Sequence, residues 1–172
     1  ELLDSINAQR GTLYLIDEQH DELVSRTLSA TPDQTRVIRA KIGEGIAGTV
    51  ARTGETLNIQ DAVFDPRFDS SVDAKTGYLT RTILATPMRN PQQKIIGVVQ
   101  VLNKLGDGPF TVRDERLLTA MAAQAAISIE NARLYEQEIQ QQLVNQELET
   151  ARNIQQSFMP QDSPDLEGWD VN

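Results

Sequence analysis

Thr82-Ile83-Leu84-Ala85-Thr86-Pro87-Met88, then Arg89-Asn90-Pro91-Gln92, then Ile95-Ile96-Gly97-Val98-Val99-Gln100-Val101-Leu102 is the stretch that decides the fold. Two strongly apolar runs bracket a Pro-containing turn, the pattern of two antiparallel strands. Upstream, Gly11–Ile16 and a run near Leu23–Ser29 flank the polar turn Asp17-Glu18-Gln19-His20-Asp21-Glu22 and read as a second hairpin. Val37–Ile42 is a third strand in chain order, with Val37, Arg39 and Lys41 alternating against Ile38, Ala40 and Ile42. Leu57–Ile59 is a fourth. Gly43-Glu44-Gly45 opens a short helix over Ile46–Arg52, which Gly54 ends. Residues 61–78 read as irregular, with a helical turn around Val72–Lys75, and residues 1–10 as the end of a helix arriving from upstream. Strands outnumber helices and hairpins link most of them. The expectation is an α+β domain around an antiparallel sheet with flanking helices.

The period changes after residue 110. Thr111 is a capping residue, and Asp114 and Glu115 fall in the first turn, where the helix dipole favours acids. Leu117, Leu118, Met121, Ala125 and Ile129 supply an apolar face. No Pro or Gly lies between Thr111 and Met159. One long C-terminal linker helix of about 50 residues is expected, roughly 70 Å in length. Its second half, 137–156, is rich in Gln and Glu. Val144, Leu148, Ala151, Gln155 and Phe158 keep a 4-3-4-3 spacing, a weak heptad seam. A parallel coiled-coil homodimer is favoured over a solvated tail, because so polar a helix lacks other support.

The 172 residues suffice for one domain and an extension. Aromatics make up 5% of the chain, so the core must be aliphatic. A net charge of -9 argues against binding a nucleic-acid polymer or an anionic membrane surface. No apolar run reaches the roughly 20 residues that span a bilayer. The chain opens at Glu1 instead of Met, so sequence upstream is expected. The absence of cysteine excludes disulfides, thiolate metal sites and thioether-linked chromophores. The single histidine, His20, reads as a solvated turn residue, which disfavours haem or bilin sensing. With one His, no Cys and no phosphate loop, no catalytic constellation emerges and no metal site is expected in this chain.

Two features carry chemistry. Gly43-Glu44-Gly45-Ile46-Ala47-Gly48 leads a strand into a helix. Its first N–H groups, on Ile46 and Ala47, point at an anion if one binds, yet the same residues also suit a tight turn that needs glycine. Lys104 and Asp114 flank the loop Gly106-Asp107-Gly108, and a structural ion pair between them is favoured over ligand contact.

From about Gly11 to Tyr135 the chain resembles a GAF domain. Gly43–Gly54, Asn58-Ile59-Gln60-Asp61-Ala62, Asp73 with Thr76-Gly77, Arg81-Thr82-Ile83-Leu84 and Ile96-Gly97-Val98 carry the resemblance. Asn103, Lys104, Phe110, Asp114 and Glu115 match the Asn-Lys…Phe…Asp-Glu signature of the cyclic-nucleotide-binding members. The resemblance implies a pocket on one face of the sheet. Ile46 and Ala47 would hold a cyclic phosphate, Asp73 and Thr76 would sit on a lid, and Thr80 would reach the base edge. Gln100 stands where some relatives carry Glu. Leu28 replaces a stacking aromatic and Ser29 an acid suited to guanine, a departure that favours cyclic AMP over cyclic GMP. For Asp73 and Thr76, plain turn chemistry fits equally well.

A second resemblance covers Leu148-Glu149-Thr150-Ala151-Arg152-Asn153-Ile154-Gln155-Gln156-Ser157-Phe158-Met159-Pro160, with Pro164 and Gly168-Trp169-Asp170-Val171. It is similar to the linker entering a bacterial PPM-type serine/threonine phosphatase of the sporulation class. An ordinary coiled coil ending in a Pro-rich tail is the alternative. Together the resemblances imply an incoming helix (1–10), a GAF ligand-binding domain (11–135), a coiled-coil linker (136–160) and the start of an output phosphatase (161–172). Divalent metal would belong only to that phosphatase, downstream of this chain. A cytoplasmic regulatory fragment is expected, with a GAF-like dimerisation scaffold lacking a ligand as the second reading.

Overall fold

The structure, a computed structural model, describes residues 2–26, 38–71, 73, 77–106 and 108–158. In chain order the elements are α1 (Leu2–Ile6), β1 (Ala8–Asp17), β2 (Glu22–Arg26), β3 (Arg39–Lys41), α2 (Gly45–Thr53), β4 (Leu57–Ile59), a 3-10 turn (Ala62–Phe64), β5 (Ile83–Arg89), β6 (Ile95–Lys104) and α3 (Val112–Phe158). Six strands form one sheet in the order β3-β2-β1-β6-β5-β4. Every neighbouring pair is antiparallel. The fold is therefore the expected antiparallel sheet with flanking helices and a long C-terminal helix.

The first and last strands close the sheet at its centre. Ala8 pairs with Lys104, and Leu15 with Gly97. This closure corrects the reading of residues 1–10 as helix. Only Leu2–Ile6 is helical. Asn7 takes a left-handed φ of 53° and ends the helix. Ala8-Gln9-Arg10 has good helix propensity, but the β6 ladder offers these residues backbone partners and tertiary pairing wins. The third strand also proves shorter than Val37–Ile42; the described strand is Arg39–Lys41, with Arg39 and Lys41 outward and Ala40 half-buried. Pro87 lies in β5 beyond its pairing with β4, which ends at Leu57↔Ala85, so no second ladder needs its missing N–H.

The sheet buries both faces. Alternation along β6 sends Val99 and Val101 to one side and Val98 to the other. The first side packs on α1 and α3 through Ile6, Leu84, Met88, Phe110, Leu118 and Ala122. The second packs on α2 through Tyr14, Ile46, Val50, Ile83, Ala85 and Val98. The core is aliphatic as the composition requires. Where the two faces need different neighbours, side-chain size sets the fit: on α3, Ala122 and Ala126 let the helix lie close to the sheet, and Leu118 fills the space between.

α2 is held tightly at its start. A Cβ on Gly48 would strike the carbonyl oxygen of Lys41 and lie 3.0 Å from Gly43 N, so only glycine fits. At the other end Gly54 takes φ 71° and donates its N–H to Val50 O at 2.8 Å, a left-handed C-cap. α3 begins with a capping box. Asp114 accepts from Thr111 N at 2.7 Å, and Thr111 Oγ1 accepts from Asp114 N at 3.3 Å. Two compact units divide the chain, Glu1–Glu130 and Asn131–Asn172. In the second, the described part of α3 is exposed along its length and shows Leu134, Ile139, Leu143, Val144, Leu148 and Ile154 to solvent. Among the described residues no helix is long and apolar enough to cross a membrane.

Leu118 is 0% exposed and Phe64 83% exposed. Leu118→Ala is expected to cost about 2–5 kcal/mol in urea unfolding. Phe64→Ala, which removes more carbon, is expected to stay within about 0.5 kcal/mol of the wild type.

Candidate functional site

The α2-covered face holds three of the residues singled out in the sequence. Ile46 and Ala47 lie in the first turn of α2 and are both buried. The N-cap, Glu44, is extended and makes no side-chain cap to the helix. The turn before it is closed instead by backbone bonds, Gly43 N to Gly48 O at 2.8 Å and Glu44 N to Lys41 O at 3.1 Å. The first-turn N–H groups are thus left uncapped by the residue that most often does so. Gln100 lies between Val98 and Leu102 on β6, opposite Thr12 and Ala85, so it shares the face that α2 covers. Leu28, Ser29 and Thr76, and the helical turn around Val72–Lys75 apart from Asp73, lie outside the described residues.

Asp73 and Thr80 meet directly. Thr80 donates its N–H to Asp73 Oδ2 at 2.6 Å and its hydroxyl to Asp73 Oδ1 at 2.9 Å. The Asp73 carbonyl accepts from Gly77 N at 2.8 Å. The Asp73 carboxylate therefore takes both donors of Thr80, bonding of the kind Asp supplies in turns, and Thr80 is buried.

The signature residues build something else. Asn103 is a buried non-glycine residue at φ 54°, at the end of β6. Its Oδ1 accepts from Arg81 N at 2.7 Å and Thr82 N at 3.3 Å. Its Nδ2 donates to Leu79 O at 2.8 Å, Tyr78 Oη at 3.0 Å and Gln9 Oε1 at 3.2 Å. Lys104 Nζ donates to Asp114 Oδ1 at 2.7 Å and to Ile6 O at 2.7 Å. It also stands 5.8 Å from the Phe110 ring centre. Asn58 Nδ2, on edge strand β4, donates to Phe110 O at 2.9 Å and to Glu115 Oε1 at 2.8 Å. These residues join α1, the entry to β5, the end of β6, β4 and the start of α3. A groove of about 720 Å³ runs beside them, lined in part by Gln9, Asp61, Tyr78, Thr80, Arg81 and Lys104. Of the residues expected to touch ligand, Thr80 lines it. Ile46, Ala47 and Gln100 do not. Most of its polar lining is already engaged in the bonds just described.

The sequence reading missed two members of this joint, Gln9 and Tyr78, and quoted Asn58 only as part of the resemblance, without a role. Each bonds to a residue more than 20 positions away, and only the strand register brings the partners together. Asp69-to-Ser71 and Asp65-to-Arg67 are local turns of the kind that Asp supplies. His20 Nδ1 lies 2.8 Å from Asp17 Oδ2 in the exposed β1–β2 turn. Among the described residues no group of three or more His, Cys, Asp or Glu is placed to hold a metal ion.

Burial pushes the Asp114 carboxyl up, but the Lys104 ammonium and the two Thr111 donors outweigh it and hold it below the usual carboxylate range. A depressed folded pKa adds stability that is fully present above the unfolded value, about 3.9, and is lost as pH falls through the folded value. The side chains of Lys104 and Asp114 are 16% and 10% exposed. Asp114→Ala, which strands the ammonium, is expected to cost about 3–5 kcal/mol at neutral pH. In denaturation measured from pH 7 down to 2, the gap between wild type and Asp114→Ala is expected to stay level above about pH 5 and to close below about pH 4.

Comparison with known proteins places these observations. The GAF domain family model matches residues 1–129. The chain is 39% identical over 141 residues to the probable 3′,5′-cyclic phosphodiesterase pde-5 of Caenorhabditis elegans, covering 76% of this chain and 19% of that protein. It is 36% identical over 145 residues to the dual 3′,5′-cyclic-AMP and -GMP phosphodiesterase 11 of Drosophila melanogaster, covering 76% of this chain and 10% of that protein. The chain thus spans under a fifth of the length of either relative. Among solved structures, the GAF domain of a phosphoenolpyruvate-protein phosphotransferase from Coxiella burnetii superposes with a TM-score of 0.69 at 24% identity, covering 78% of this chain and 79% of that one. The second GAF domain of DevS from Mycobacterium smegmatis does so with a TM-score of 0.61 at 19% identity, covering 79% and 90%. With its match over residues 1–129 and its six-stranded sheet in this order, the chain belongs to the GAF domain family.

Proposed function

We propose that this chain is the regulatory, small-molecule-sensing part of a larger signalling protein, that its ligand is a cyclic nucleotide, and that cyclic AMP is preferred. The observation that carries the reading is the 39% identity, across three-quarters of the chain, to a segment of a protein described as a probable cyclic phosphodiesterase. The uncapped, glycine-led start of α2 supports it, because a first turn whose N–H groups lack a side-chain cap suits an anionic phosphate. In this reading Ile46 and Ala47 hold the cyclic phosphate, Gln100 lies on the same face of the sheet, Asp73 and Thr76 belong to a lid, Thr80 reaches the base edge, and Leu28 and Ser29 stand at its stacking end. The preference for cyclic AMP rests on Leu28 and Ser29 as sequence positions, since a hydroxyl both donates and accepts where an acid would favour guanine.

Output passes through α3 to a metal-dependent serine/threonine phosphatase, on the strength of the 148–171 resemblance. The exposed apolar residues Ile139, Leu143, Val144, Leu148 and Ile154 support a parallel homodimer along the linker. A cytoplasmic setting goes with such a ligand and output. The second reading, a dimerisation scaffold without a ligand, draws on the signature residues themselves, whose polar groups are engaged in holding elements together.

Isothermal titration with cyclic AMP and cyclic GMP separates the two. Saturation at about 100 times Kd stabilises a fold by about 2.7 kcal/mol. That is expected to raise Tm by roughly 5–10 °C, more at equal concentration for cyclic AMP. No heat and no shift with either nucleotide would leave only the scaffold. Light-scattering mass on the whole chain and on a version ending at Glu136 is expected to give a dimer and a monomer respectively. A dimer from the shorter version would place the interface in the GAF domain.

A further inference from the structure

We propose that the groove beside Asn103 and Lys104 is a docking site for an extended segment of a partner protein, one that carries a carboxylate side chain next to an apolar one. The proposal does not depend on the nucleotide reading. The groove is lined by residues other than Ile46, Ala47 and Gln100, and it lies wholly within the unit Glu1–Glu130.

The apolar side chains around it set it apart from the rest of the domain. Among the described residues ahead of α3, the large apolar side chains that stand half or more exposed are Val63, Phe64, Leu79 and Leu105. Val63 and Leu79 line the groove together with Pro109. Phe64 follows Val63 in the 3-10 turn, and Leu105 lies between the lining residues Lys104 and Gly106. Exposed apolar side chains gathered at one place and rimmed by polar groups mark an interaction surface. Because Phe64 and Leu105 lie outside the lining itself, apolar surface continues past the groove. That suits a ligand longer than the groove better than a small molecule enclosed by it.

The charges decide what the partner carries. Lys104 is held by Asp114 and by Ile6 O, Asp61 accepts from Val63 N, and Asp73 takes both donors of Thr80. Arg81 differs from these. Its N–H goes to Asn103 Oδ1, but its exposed guanidinium forms no hydrogen bond or ion pair among the described residues. A second exposed guanidinium, that of Arg10, stands 3.8 Å from the centre of the Tyr78 ring, and Tyr78 lines the groove. In a chain of net charge -9, a guanidinium that no described carboxylate pairs with is the complement of a carboxylate on a partner. Arg and aromatic side chains are also the types that most often anchor an interface, and Arg81, Arg10 and Phe64 supply them here.

Fluorescence anisotropy on the full chain tests the site with a set of labelled peptides of the form Ser-Asp-Leu-Asp-Phe-Ser. The set includes the reversed order and versions with the acid and apolar positions set further apart. Saturable binding by at least one member is expected, with backbone amide shifts confined to 60–64, 77–82 and 103–106. Arg81→Glu is expected to weaken that peptide by about tenfold or more, and to bind its Lys-for-Asp version more tightly than the wild type does. Leu79→Ser is expected to weaken both versions. Arg52→Glu makes the same change in net charge at an exposed arginine of α2, and is expected to leave binding unchanged. The urea midpoint of each variant reads its fold, and Phe64→Ala replaces Leu79→Ser if the latter does not fold. Absence of saturable binding by every peptide would overturn the proposal. So would an equal loss in Arg52→Glu, which is general attraction to charge, or equal binding by peptides with Ser in place of Leu and Phe. Octanoate shifting the same amides at lower concentration than any peptide would replace the partner segment by a small amphipathic acid.

Discussion

The fold turns on the pair of residues that ends β6. Asn103 leaves the strand at a left-handed φ of 54°, and Lys104 follows with its ammonium shared between the last residue of α1 and the third residue of α3. An aliphatic sheet gains stability from area, and area does not care much about direction. What fixes where α1, α3 and the entry to β5 lie relative to the sheet is a handful of polar bonds whose geometry tolerates little error. Because both carboxylate oxygens of Asp114 are engaged, one by Lys104 and one by Thr111, the joint has a defined alternative only when it breaks.

This placement changes what the Asn-Lys…Phe…Asp-Glu signature means for the molecule. Asn103, Lys104, Phe110, Asp114 and Glu115 bond to the backbone and side chains of α1, β4 and the β5 entry, and Phe110 sits in the core on the α3 side. Ile46, Ala47 and Gln100 lie on the opposite face. Ile46, Ala47 and Gln100 are therefore separated from the joint by the sheet, while Thr80 lines the groove beside Asn103 and Lys104.

Much of the fold was legible in the sequence because its signals are local. The apolar runs at 83–89 and 95–104, the turn at Asp17–Glu22 and the glycine that ends α2 each show in a window of a few residues. The Lys104–Asp114 pair was legible for the same reason, since the loop joining them is short. Residues 8–10 misled because their propensity is helical and their partners, Leu102 and Lys104, are more than 90 positions away. Gln9 and Tyr78 were invisible on the same grounds, and Asn58 was visible only as a motif residue: nothing near them in the chain marks them as polar groups with buried partners. Asn103 was visible as a motif residue but not as a hub, because four of its five partners come from 78–82, a stretch whose position only the sheet register determines.

The division of labour between apolar and polar contacts also explains the spareness of the site. With few aromatics the core is built from aliphatic side chains, and Ala122 and Ala126 are buried with Leu118 where α3 meets the sheet. The capping box of Thr111 and Asp114, braced by Lys104, fixes the first turn of α3. No Pro or Gly interrupts α3 between Val112 and Phe158. The Lys104–Asp114 joint contributes stability as well as direction, because removing one partner leaves the other charge largely buried.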